Sequence, residues 1–235
     1  MLTLLTPNGK QRVLAKGARK TTSRLAGHIE LFTHTTVLLA VGRNFDILTQ
    51  SATLHTYDQL RGDLQRISGA YYLTELADRL IEEQDENRLS FELLVETLGA
   101  LDVTASIDLV LRYFELHLLG HIGYRPRLYH CANCQDALTE DANRFSPTLG
   151  GMLCPRCAAA DRAALPVSLH AFKLLRFLQT HSVEAIERLT ISEPVRREAE
   201  LLLRAYIRPV LERDLKSVAF LEDVRSEVPD QRRSV

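Results

Sequence analysis

Over the first 55 or so residues, apolar and polar positions alternate in short runs separated by glycine-containing turns, the period-2 signature of β-strands with one face buried. Residues 2–5 and 11–15 flank Asn8-Gly9, a dipeptide that favours a tight hairpin because both positions tolerate positive φ. Residues 35–41, rich in β-branched side chains, and 45–54 form a second pair around Gly42-Arg43-Asn44. Short, glycine-punctuated antiparallel strands without intervening helices predict a small barrel rather than a dinucleotide-binding unit. Phe32 and Phe45 are assigned to its core, with base stacking as their alternative use.

From Tyr57 the period lengthens to that of a helix. Leu60, Leu64, Ile67, Tyr71, Leu73, Leu76, Ala77 and Leu80 form one stripe, predicting a single long helix over 58–84. Ser90 is placed as the cap of a second helix with Phe91, Leu94, Val95 and Leu98 inward. A third spans 106–119 with Ile107, Val110, Leu111, Phe114 and Leu118 on its apolar face, ended by Gly120 and Gly123. Further on, Ser168 caps a helix bearing Leu169, Phe172, Leu175 and Phe177, and a short helix follows at 183–189. The last starts at Ser192 with Pro194 in its first turn, and Pro209 should kink or divide it. The polar stretch 226–235 is expected to be disordered.

Between these helical blocks stand the chain's four cysteines, as Cys131-x-x-Cys134 and Cys154-x-x-Cys157. Two such turns facing each other supply the four thiolates of a tetrahedral zinc shell. A disulfide framework suits a short secreted chain, but no apolar leader follows Met1, so reduced thiols in the cytosol are expected. Four thiolates leave no open coordination position, which makes the zinc structural and not catalytic. His130 adjoins the first pair as a substitute ligand but is read as a surface residue.

The net charge of −1 hides an uneven distribution, because no acidic residue precedes Glu30 while Lys10, Arg12, Lys16, Arg19, Lys20 and Arg24 do. Alternation on an extended strand projects Lys10, Arg12 and Lys16 from one face, with Val13 and Ala15 on the other. The following loop adds three cations and three hydroxyls. Fixed cations beside a hydroxyl-rich loop suit a phosphate backbone, read through salt-dependent, largely sequence-indifferent contacts. No nucleotide-binding loop, zinc-protease or nucleophile-elbow motif is found, so neither a nucleotide cofactor nor catalysis is expected. The acidic run Glu82-Glu83-Gln84-Asp85-Glu86 reads as a solvated helix end, since neighbours one apart on a helix do not face a common point. The longest apolar runs, such as 37–41, are too short to cross a membrane.

Several blocks taken together resemble the RecO family of bacterial DNA repair proteins. The first is Leu4-Leu5-Thr6-Pro7-Asn8-Gly9-Lys10 with Ala15-Lys16-Gly17-Ala18-Arg19-Lys20, then Ser23 and Leu25. A second, Phe114-Glu115-Leu116-His117-Leu118-Leu119-Gly120-His121-Ile122-Gly123-Tyr124 with Pro126, runs into the first cysteine pair. Gly150-Gly151-Met152-Leu153 leads into the second pair, and Tyr206-Ile207, Leu211, Arg213 and Leu215-Lys216-Ser217 are similar to the family's last helix.

The resemblance implies an α+β protein: an N-terminal OB-fold β-barrel followed by an all-α domain carrying an inserted four-cysteine zinc finger. The expected division is an OB-fold DNA-binding domain over 1–56, helical parts over 57–129 and 161–225, the finger over 130–160, and a disordered tail over 226–235. Members carry further residues ahead of the position of Met1, including the first barrel strand; either the start is assigned too late, which is the expectation, or the barrel has an exposed edge. The implied function is that of a recombination mediator. It binds single- and double-stranded DNA, anneals complementary strands, and works with RecR, often RecF, to load RecA onto strands coated by single-strand-binding protein (SSB). Expected site residues are Lys10, Arg12, Lys16, Arg19, Lys20 and Arg24 for DNA, and Cys131, Cys134, Cys154 and Cys157 for Zn²⁺. For the acidic SSB tail the candidates are Arg112, Arg125 and Arg127 near Leu116 and Leu119, or Arg204 and Arg208 beside Tyr206. The alternative from another class is a zinc-containing nucleic-acid enzyme such as a nuclease. A transcription regulator reading DNA through the finger is a third, weakened by Arg144 being the only cation between the two pairs.

Overall fold

Four strands open the chain: β1 (Leu2–Thr6), β2 (Gly9–Leu14), β3 (His34–Ala40) and β4 (Asp46–His55). The computed structural model describes residues 1–18, 25–83, 87–211 and 215–227. The strands form one sheet in the order β1-β2-β4-β3, with antiparallel outer pairs and a parallel central contact, Val13 opposite Asp46 and Leu14 opposite Ile47. In the first hairpin Thr6 pairs with Gly9, so the loop is Pro7-Asn8 and it is Gly9 that takes positive φ, 100°. Proline fits the first corner of such a turn and glycine the left-handed position after it. Val13 and Leu48 are buried, whereas Phe45, assigned to the core from sequence, is 40% exposed. It immediately precedes β4, where the strand alternation that sets the core face has not yet begun. Phe32 is buried, edge-on to Tyr71 at 4.9 Å.

The long helix expected over 58–84 is two: α1 (Asp58–Gly62) and α2 (Leu64–Leu80). Asp63 stands between them in extended conformation, and its side chain accepts a hydrogen bond from the Arg66 N–H at 2.9 Å. Glycine ends one helix weakly and aspartate starts the next strongly. This break resets the helical phase, so Tyr72 is buried while Leu64 and Tyr71, assigned to the stripe, are exposed. In α3 (Arg88–Val103) the cap is Asn87, whose Oδ1 accepts from the Ser90 N–H at 3.0 Å. Ser90 is therefore inside the helix and buried, with Leu93, Thr97, Leu98 and Leu101 along the same face. The Leu60 N–H donates to Asp102 Oδ1 at 2.7 Å, fastening α1 to α3. The described residues form two compact units, and these helices belong with the sheet: those up to 103 together with 223–227 make up the first, those from 104 to 222 the second.

The second unit centres on α4 (Ile107–His121), which is buried on nearly every side from Leu109 to Leu119. Around it lie α5 (Leu169–Thr180), a 3-10 turn (Val183–Arg188) and α6 (Glu193–Val210). Gly120 remains helical, and the turn out of α4 is made at Gly123, with φ 85°. Ser168 does cap α5, its Oγ accepting from the Ala171 N–H at 3.1 Å. Pro209 falls in the last turn of α6, where a missing N–H costs one terminal hydrogen bond; that helix ends at Val210 and the next begins at Lys216, so the last helical stretch is divided there as expected. Around the four cysteines lies a small sheet of β5 (Arg144–Ser146), β6 (Gly151–Leu153) and β7 (Leu165–Pro166), ordered β6-β5-β7. A final helix, α7 (Lys216–Glu227), takes in residues 226 and 227 of the tail expected to be disordered; the remainder lies outside the described residues. Among the described residues no helix is long and apolar enough to cross a membrane.

Candidate metal centre and nucleic-acid interface

The backbone brings the four sulfurs together through two tight knuckles. In the first, Cys131 O accepts from the Gln135 N–H at 3.0 Å, and Gln135 turns the chain with φ 66°. In the second, the Cys157 N–H donates to Cys154 O at 2.9 Å. The Ala132 N–H reaches Met152 O at 2.8 Å, and Asp136 pairs with Arg156, so each knuckle is braced against the other. All four Sγ atoms lie within 4.8 Å of one another, and Cys134 Sγ is 3.8 Å from Cys154 Sγ. A tetrahedron with metal–sulfur bonds of ~2.3 Å requires sulfurs about 3.8 Å apart.

The surroundings suit thiolates. The Cys154 N–H donates to Cys131 Sγ at 3.4 Å and Asn133 Nδ2 to Cys157 Sγ at 3.3 Å. Burial raises the Cys131 thiol, but N–H groups of Cys134, Cys154 and Asn133 outweigh it and bring the pKa down to about 6. Cys134 is pushed up to about 12: the Asp136 N–H lowers it, while burial and the sulfurs of Cys131, Cys157 and Cys154 raise it. Four crowded sulfurs cannot all carry charge unless a cation lies among them, and a bound cation draws off their protons. The four cysteines are free thiols, and this group can hold a metal ion. His130 is exposed and outside it.

The expected DNA-binding cations are placed unequally. Lys10 is largely covered, with its Nζ 3.2 Å from Asp78 Oδ1 and donating to Asp78 O at 2.5 Å. Arg12 is exposed yet pairs with Glu83 at 2.6 Å. Lys16 is exposed but lies in the turn after β2 and not on the strand face, because β2 ends at Leu14. Arg19, Lys20 and Arg24 lie outside the described residues. Of the acidic run, Glu83 is the partner of Arg12, and positions 84–86 are likewise outside.

Two expectations about the helical surface change. Arg112 is 2% exposed and bonds Glu115 at 2.5 Å, so it cannot meet a partner at the surface; Leu116 and Leu119 are buried too. Arg204 pairs with Glu200 at 2.8 Å and with Glu222. Arg125, Arg127 and Arg208 are exposed. Sequence reading missed an open groove of about 380 Å³ between α5 and the segment leading into α6. Leu174, Phe177, Leu189, Ile191 and Val195 line it, with His170 and Lys173 among them. Its signal was faint, since Ile191 and Leu189 sit in a connection with no helical period.

Fold and site together define an α+β protein with an N-terminal strand sheet, a helical part, and a four-cysteine module able to hold a metal. Residues 1–57 match the family model for the Recombination protein O N terminal, and residues 61–219 that for the Recombination protein O C terminal. The chain is 60% identical over 225 residues to a DNA repair protein RecO of Roseiflexus sp., covering 96% of this chain and 80% of the relative. A RecO of Dehalococcoides mccartyi is 41% identical over 225 residues, covering 95% and 88%, and one of Nocardioides sp. is 37% identical over 230, covering 94% and 91%. This chain belongs to the RecO family of DNA repair proteins.

Proposed function

We propose that this protein is a recombination mediator that binds single- and double-stranded DNA, anneals complementary strands, and with RecR and RecF helps load RecA onto SSB-coated strands. The observation that carries the reading is the match to both RecO domain models across nearly the whole chain. On this reading the sheet, with its one parallel contact between β2 and β4, is the described part of an OB-fold barrel. The metal of the four-cysteine module is Zn²⁺, the ion best suited to a closed tetrahedral thiolate shell, and it holds the finger together. The protein acts without catalysis, inside the bacterial cytoplasm.

Lys16, Arg19, Lys20 and Arg24 neutralise phosphates, with Arg12 exchanging Glu83 for DNA and Lys10 anchoring β2 to the end of α2. Lowering the repulsion between two strands lets base pairing itself drive annealing, with no need of ATP. The acidic, aromatic-ended SSB tail docks in the groove of Phe177, Leu174 and Ile191, where Lys173 supplies the cation of the rim beside His170. Lys173 is held 2.8 Å from Glu140 and would be shared with the tail.

The test is an annealing assay on bare and SSB-coated complementary strands, with and without RecR. Acceleration on bare strands and RecR-dependent progress on coated ones are expected. Reversing Lys16, Arg19 and Lys20 to Glu should abolish both DNA binding and annealing; unchanged affinity at moderate salt would reject these residues. Cleavage of labelled DNA in Mg²⁺ or Mn²⁺ would favour the enzyme alternative instead.

A further inference from the structure

Between the end of α4 and the first cysteine the chain is extended, and its exposure alternates. Arg125, Arg127 and Tyr129 face solvent while Pro126 and Leu128 are buried, the period of a strand with one open face. Tyr124, just ahead, is 51% exposed, and Tyr129 is 42% exposed. Arg176 of α5 lays its guanidinium over the Tyr129 ring, 4.7 Å from the centroid.

The main chain of this stretch is bonded almost residue by residue. The Tyr124 N–H donates to Leu119 O at 2.7 Å, and Tyr124 O accepts from the Tyr206 hydroxyl at 3.0 Å. Gln179 Nε2 donates to Pro126 O at 2.9 Å and Arg176 Nε to Leu128 O at 2.8 Å. Arg127 bonds β6 on both sides, through Gly150 O at 3.0 Å and the Met152 N–H at 2.8 Å. Tyr129 O accepts from the Leu138 N–H at 2.9 Å. The charges are also uncommitted. Arg156, Lys173, Arg196, Arg197 and Arg204 are each held by a carboxylate, but among the described residues neither Arg125 nor Arg127 is in an ion pair.

We propose that residues 124–129 form a second single-strand contact, in which Arg125 and Arg127 bind phosphates and Tyr124 and the Arg176-backed Tyr129 stack on bases. Cations interleaved with exposed aromatics on a fixed backbone are what sequence-indifferent single-strand binding requires. A rigid platform loses little conformational entropy on binding, so its contacts are expressed as affinity. An acidic peptide would meet the same cations, but the leucines behind them, Leu116 and Leu119, are buried and leave no apolar slot for its end. The inference rests on the reading of this chain as a strand annealer and deepens it: a second contact, in a different unit from the N-terminal cations, lets one molecule hold two strands.

Fluorescence anisotropy of labelled oligothymidylate through a salt series tests it, with annealing rates measured on the same preparations. Arg125→Ala/Arg127→Ala should weaken binding at low salt about tenfold and flatten the slope of log K against log salt by about 1.4, from ~0.7 per phosphate. Tyr129→Ala should weaken binding about tenfold, while Tyr129→Phe keeps the stack and the affinity. Bound metal and thermal midpoint, unchanged in all three, certify the fold. Wild-type affinity and slope in the double variant would overturn the proposal, as would loss of acidic-peptide binding with DNA binding intact. A wild-type chain that neither binds nor anneals DNA would instead overturn the function on which it rests.

Discussion

Glu115→Gln should be among the most damaging single substitutions in the second unit. Glu115 is fully buried and Arg112 is 2% exposed, and the two bond at 2.5 Å across one turn of α4. Removing the carboxylate's charge leaves the guanidinium to Glu200, 3.5 Å from Nη1, and Glu200 is already engaged by Arg204 at 2.8 Å. Breaking a buried pair by deleting one partner costs about 3–5 kcal/mol; with Glu200 compensating in part, ~3 kcal/mol is expected. For a chain of this size that corresponds to a midpoint lowered by roughly 6–12 °C. Urea denaturation followed by circular dichroism, which leaves ion pairs unscreened, measures it. The paired replacement Arg112→Met/Glu115→Leu removes both charges and should lie within about 1 kcal/mol of wild type, or above it. A cost below about 1 kcal/mol for Glu115→Gln, or a double variant as unstable as the single, would refute the argument that desolvation dominates this pair.

Gly151→Ala places a methyl 2.4 Å from Arg127 O and 2.7 Å from Arg127 Cβ, so β6 must move; a loss of about 1–3 kcal/mol is expected, read by thermal melting alongside a weakened hold on metal. Chelation should release one metal ion per chain, measured by a chromogenic indicator, and loosen the finger. Its effect on oligothymidylate affinity should match that of Arg125→Ala/Arg127→Ala, because β6 fixes the Arg127 backbone, and complete loss of DNA binding would mean the metal supports the first unit as well. Burial lowers the pKa of His34, His117 and His121 below 6.5, so each is neutral when folded down to a lower pH than when unfolded. The unfolded chain then binds more protons below about pH 6.5, so these three histidines should make stability fall as the pH is lowered through that range. Urea midpoints at a series of pH values check this, and His117→Gln should remove part of the slope.

Much of the site was readable because it depends on local spacing. Cys131-x-x-Cys134 and Cys154-x-x-Cys157 each place two sulfurs within one turn, and the structure brings both turns to one point. The four N-terminal strands were legible for the same reason, with ends displaced by a residue or two, whereas β5, β6 and β7, each of two or three residues, are too short to show a period. Helix starts were less so. Ser90 and Asn87 both cap well, and only the backbone's course shows that Asn87 does it, which moves Ser90 inside and turns Leu93 to the core.

The sequence by itself determined the strand period of the N-terminal segment and the helical period of most of the rest, the uneven placement of charge, the thiol set and the family, since each resides in residue type and order. Only the tertiary structure decided that Lys10 and Arg12 are spent and that Arg112 is buried. Lys10, Arg12, Arg112 and Arg204 meet Asp78, Glu83, Glu115 and Glu200, and in the first two of these pairs the partners lie far apart in the chain, on different elements or connections. Arg112 looked like a surface arginine because a helical stripe predicts one buried face, but α4 is packed on nearly all sides and buries its polar face too. Conversely, the connection at 124–129 has no helical or hairpin pattern that would mark it. Arg125 and Arg127 were candidates for an acidic peptide from sequence, but only the tertiary structure has β6, α5 and Tyr206 fixing their backbone with Tyr124 and Tyr129 exposed beside them.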